Sequence, residues 1–78
     1  MIGELLKKEI SRDARVIWSL LEENRRMTVE AIRVDTRYAE GSILLSLGWL
    51  ARENKVTFFE LNGSLAVEAN LPDSSLYC

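Results

Sequence analysis

Histidine is absent from this 78-residue chain, and cysteine and proline occur once each, as Cys78 and Pro72. Without histidine the chain lacks the commonest metal ligand and the side chain most used for proton transfer near neutral pH. A lone cysteine at the last position forms no internal disulfide, which suits a reducing, cytoplasmic compartment. No uninterrupted apolar run exceeds three residues, Ile43-Leu44-Leu45 among them, against the roughly 20 that a membrane span needs. The N-terminus carries no signal-peptide pattern. There is no phosphate-cradling glycine loop, and Ser42, Ser46 and the glutamates have no base at a usable spacing. The expectation is a soluble, non-enzymatic chain with no metal, no cofactor, no small-molecule substrate and no membrane contact.

What is present is the composition of a folded domain, 47% hydrophobic and 28% charged. A chain this short buries only about 60 to 65% of its unfolded surface, so its stability is marginal unless a partner contributes. Ile2, Leu5, Leu6, Ile10, Ala14, Ile17, Trp18 and Leu21 recur at spacings of three and four, the period of an amphipathic helix. No Gly or Pro interrupts residues 4–24, so this segment is either one rod or, with Ser11 as an N-cap, an extension followed by a helix over about 12–24. Asn24-Arg25-Arg26 ends it. Thr28 is placed to cap a second helix over 29–35, with Glu30 at its positive end and Met27 and Ile32 at the spacing of a hydrophobic staple. A third helix is expected over 40–54, with Ile43, Leu44, Leu47, Leu50 and Ala51 on one side and Asn54 in the left-handed conformation that closes it. Residues 56–61 and 64–69 flank Asn62-Gly63, a strong signal for a type I′ hairpin turn. That turn pairs Phe58 with Val67, Val56 with Ala69 and Glu60 with Leu65, and points Val56, Phe58, Leu65 and Val67 at the core. Residues 71–78 are expected to be a loose tail outside a domain of residues 1–70.

Three helices followed by a β-hairpin wing is the order of a winged helix-turn-helix domain, an α+β fold that is mainly α. The stretch Leu47-Gly48-Trp49-Leu50-Ala51-Arg52-Glu53-Asn54-Lys55-Val56 resembles the end of the third helix in a family of short bacterial and archaeal winged helix-turn-helix domains of unknown function. Ile10, Ala14, Ile17 and Trp18 match that family's first-helix pattern, and the likeness covers about residues 10–70. Ala39 stands where the family usually has a capping Ser, and Gly41 loosens the first turn of the third helix. The resemblance implies the fold and a loose association with DNA binding or transcription regulation.

Charge argues against that association. Residues 1–37 carry a net +1 and residues 38–78 a net −3, so the third helix and the wing are the acidic part of the chain. Phosphate neutralisation dominates DNA affinity, and Arg or Lys makes the commonest base contacts. The third helix nevertheless opens with Ala39-Glu40-Gly41-Ser42, and the wing tip Leu61-Asn62-Gly63-Ser64 has no cation. Arg33 and Arg37, flanking the turn into the third helix, and Arg52 and Lys55 at its far end are the candidate nucleic-acid contacts. The remaining cations interleave with carboxylates as an ordinary solvated surface does.

Leu45 and Trp49 fall away from the face carrying Ile43, Leu47 and Leu50. Trp49 either packs under the wing, against Phe59 or the tail, or joins Leu45, Phe59 and Leu61 in a protein-contact surface. Leu5 and Leu6 exceed what so small a core can cover and suit docking on a second copy. Homodimerisation through Leu5, Leu6, Leu45, Trp49, Phe59 and Leu61 is the favoured expectation, with a protein partner of another kind or DNA as the alternatives.

Overall fold

The computed structural model describes residues 2–71, with side chains from Leu6 onward. Its elements are α1 (Ile2–Asn24), β1 (Arg26–Thr28), α2 (Val29–Thr36), α3 (Glu40–Arg52), β2 (Val56–Leu61) and β3 (Ser64–Ala69). Ser11 does not split α1. The helix runs unbroken for 23 residues, about 34 Å at 1.5 Å per residue. Arg25 ends it in the left-handed region at φ 74, its amide donating to the Leu21 carbonyl at 2.7 Å.

The caps follow the local sequence. Thr28 sits in extended backbone, and its hydroxyl accepts from the Ala31 amide at 3.0 Å, closing the start of α2. Arg37, at φ 63, closes the other end by donating its amide to the Arg33 carbonyl. Thr36 belongs to α2, one residue beyond the expected limit, and α3 stops at Arg52, two residues short of it. Asn54 follows α3 at φ 60. Ala39 is the N-cap of α3 and makes no side-chain capping bond. The Asn62-Gly63 turn has φ 52 and φ 82, the positive values a type I′ turn requires, and the β2–β3 register is the one that turn dictates.

The sheet has a third strand that local pattern did not indicate. β1 pairs antiparallel with β3, Met27 opposite Val67, giving the order β1-β3-β2. β3 is therefore central, and both Ala66 and Val67, on opposite faces of it, are fully buried. The core gathers Ala14, Ile17 and Leu21 from α1, Val29 and Ile32 from α2, Ile43, Leu47 and Leu50 from α3, and Val56, Val67 and Ala69 from the sheet.

Two expected core residues are not in it. Phe58 and Leu65 are 41% and 46% exposed, although they share a sheet face with the buried Val56 and Val67. The register is as expected, but the helices cover only the base of the wing, so the half nearer the turn projects past them. Trp18, Met27, Trp49, Ala51 and Leu71 are partly buried against the core. The expected tail lies, from Pro72 on, outside the described residues.

Candidate macromolecular interface

On α3 the buried residues are Ile43, Ser46, Leu47 and Leu50. At about 100° per residue the opposite side carries Gly41, Leu44, Leu45, Gly48 and Arg52, and all five are exposed. Leu44, expected on the core side, is 41% exposed, and Leu45 is 51% exposed. A Cβ placed on Gly41 or Gly48 would meet no atom within 4 Å. The outward face of α3 is therefore a shallow apolar surface, low at the two glycines, high at the two leucines, with Arg52 at one end. Glu40 lies in its first turn, where its charge favours the helix dipole but opposes a phosphate.

The wing extends the same character. Leu61 and Leu65 are exposed on either side of the turn, and Glu60 is exposed beside them. Phe59 and Leu61 line a groove with Arg26, Met27, Thr28, Ala31 and Ala66 on the outer face of the sheet. The Arg26 guanidinium lies 5.7 Å from the Phe59 ring centre and 3.7 Å from the Glu68 carboxylate opposite.

Trp49 joins neither the wing nor Phe59. It lies on the α1 side of α3 and lines grooves there with Ser11 and Arg15. The six residues expected to form one protein surface are thus distributed over several places: Leu45 on the outward face of α3, Phe59 and Leu61 on the sheet, Trp49 against α1, and Leu6 exposed on α1. The Leu5 side chain lies outside the described set.

The candidate phosphate contacts are partly engaged. Arg33 hydrogen-bonds both carboxylate oxygens of Glu30 on α2, and this bonding holds the Glu30 carboxyl below its ordinary range and the Arg33 guanidinium above its own. Lys55 lies 3.6 Å from Glu53 and 5.6 Å from the Trp18 ring centre. Arg37 and Arg52 are exposed and, among the described residues, have no carboxylate within 4 Å.

Residues 5–69 match the family model described as winged helix-turn-helix domain (DUF2582). The chain belongs to this family. Among solved structures, this winged helix-turn-helix chain is similar to the solution NMR structure of protein BT2368 from Bacteroides thetaiotaomicron, with a TM-score of 0.73 and 27% identity over 91% of this chain and 82% of that one. No curated protein matches it. These likenesses establish the α+β winged-helix fold, three helices followed by an antiparallel hairpin. Among the described residues no helix is long and apolar enough to cross a membrane.

The residues that sequence reasoning missed are Leu44 and Gly41 on α3. The signal was available in the 100° offset of Leu44 from Ile43. It was obscured because Ile43-Leu44-Leu45 is one apolar run in which each residue faces a different way.

Proposed function

We propose that this winged helix-turn-helix domain is a non-enzymatic regulatory module that acts by protein contact and pairs with a second copy through the outward face of α3. The observation that carries this reading is the surface formed by Leu44, Leu45, Gly41 and Gly48, on the helix that a DNA-reading relative would present to the major groove. Exposed apolar surface of this kind marks interfaces, and fully burying one leucine side chain contributes roughly 1.5 to 3 kcal/mol. Glycines at two exposed positions of a helix cost stability in the isolated chain, a cost that close approach of a partner offsets. A 78-residue domain with so few fully buried side chains also gains stability from association.

The test is light scattering on the wild type and on Leu45→Glu. The wild type should give a mass near twice 8.9 kDa, and the variant should give a folded monomer. A wild-type monomer up to millimolar concentration would remove the basis of the proposal. The alternative, a DNA-binding regulator reading through α3, rests on fold analogy and on exposed Arg37 and Arg52. It predicts salt-sensitive duplex binding that is lost on Arg37→Ala or Arg52→Ala.

A further inference from the structure

Four of the ten cations of the chain lie together on α1, away from the outward face of α3 and from the wing. Lys7, Lys8, Arg12 and Arg15, every cation of α1, line a single groove with Ser11, and the only α3 residue lining it is Trp49. Among the described residues no carboxylate lines that groove. On the helical wheel the four cations fall within an arc of about 140°; Glu9 and Asp13 fall outside it, and Glu4, whose side chain lies outside the described residues, falls within it at the Lys7–Lys8 end. Among the described residues no carboxylate lies within 4 Å of Arg12 or Arg15. The groove continues past Trp49 and Arg15 into a second one lined by Trp18 and Lys55. The one carboxylate there, Glu53, is paired with Lys55.

A half-buried tryptophan bordered by four cations has the chemistry of a single-stranded nucleic-acid track. Phosphates follow the cations, and an unpaired base stacks on the aromatic ring. Lys7 to Arg15 spans about 12 Å along α1, room for a few consecutive phosphates. A duplex suits the groove less, because its bases are already stacked on one another and unavailable to Trp49. An acidic peptide would satisfy the cations but supplies a ring for the indole only where it carries an aromatic residue, whereas every nucleotide supplies one. We propose that the groove between α1 and α3 binds a single strand of nucleic acid, with Lys7, Lys8, Arg12 and Arg15 on its phosphates and Trp49 against a base. This site uses neither the outward face of α3 nor the wing, and it stands independently of the dimer proposal.

The test is fluorescence anisotropy of a labelled ten-nucleotide oligo(dT) titrated with the full chain at 50 and 200 mM salt. Binding should weaken with salt along a slope of about −2 to −3, as expected for three or four phosphates at about −0.7 each. The double variant Arg12→Glu/Arg15→Glu, whose changes are confined to exposed positions, should weaken binding more than tenfold with an unchanged circular dichroism spectrum. Trp49→Phe should retain binding but lose most of the tryptophan quenching that oligo(dT) produces in the wild type, because Trp18 remains as the only indole. Any of these results would overturn the proposal: no binding at 50 mM salt, binding indifferent to Arg12→Glu/Arg15→Glu, a duplex of the same length bound as tightly, or polyglutamate of equal charge competing as well as oligo(dT). Loss of binding on Arg37→Glu alone would also overturn it, by placing the strand on the helix-turn-helix.

Discussion

The Asn70 side chain holds the end of α3 to the end of the wing, its Nδ2 donating to the Asn54 carbonyl at 3.1 Å. Asn54 itself is in the left-handed conformation that turns the chain out of α3. Asn70 also accepts from the Thr57 hydroxyl at 2.8 Å through Oδ1, and its amide donates to the Lys55 carbonyl at 2.7 Å. One residue thus fixes where β2 leaves the helix and where β3 finishes. Asn70→Ala removes both side-chain bonds at an exposed site and should lower stability by about 1 kcal/mol. A urea midpoint equal to that of the wild type would show that the clamp contributes nothing.

Asn70 illustrates what the sequence does not reveal. Thr28, Asn54 and Asn62-Gly63 were legible as caps and turn because each acts on its immediate neighbours, and the structure places each in the expected role. β1 was not legible, since three residues between two helices become a strand only by pairing with β3, about 40 positions away. Phe58 and Leu65 have the alternation of core residues, yet alternation gives the face of a strand and not how far the helices beneath it extend. The placement of Trp49 against α1 likewise depends on a helix–helix contact that no local signal encodes. The apolar character of α3 and the sparse charge of the wing were both legible, whereas the gathering of Lys7, Lys8, Arg12 and Arg15 beside Trp49 was not.

Ala39 leaves the start of α3 without a side-chain cap, although its backbone is already extended as an N-cap requires. Ala39→Ser should therefore raise stability by about 0.5 to 1 kcal/mol, through a hydroxyl accepting from an amide of the first turn. An unchanged or lowered thermal midpoint would mean that the start of α3 is held by other contacts.

Gly48 is exposed in the middle of α3 with open space where a Cβ would lie. In the isolated chain Gly48→Ala should stabilise by about 0.5 to 1 kcal/mol. If a partner helix seats on this face, the added methyl group should also weaken association. Chemical denaturation at low and high protein concentration separates the two effects: the variant should exceed the wild type when dilute and lose that advantage when concentrated. A constant advantage at all concentrations would place the interface elsewhere.

The Glu30–Arg33 pair sets a pH dependence of known sign. Hydrogen bonding from Arg33, reinforced by its charge, lowers the Glu30 carboxyl below its ordinary value. Its contribution to folding is therefore complete above the unfolded-state value and is lost as pH falls through the lower folded-state value. Arg33→Ala should move the Glu30 titration, followed by NMR of its side-chain carboxyl carbon, upward into the ordinary range. No movement would show that the pair is not populated in solution.

The claim that the outward face of α3 meets a second copy is tested most directly by isotope-filtered NOE measurements on an equal mixture of labelled and unlabelled protein. The account predicts intermolecular cross-peaks from the methyl groups of Leu44 and Leu45 to the unlabelled copy. Filtered spectra empty at these methyls at millimolar concentration, together with the tumbling time of an 8.9 kDa monomer, would contradict it.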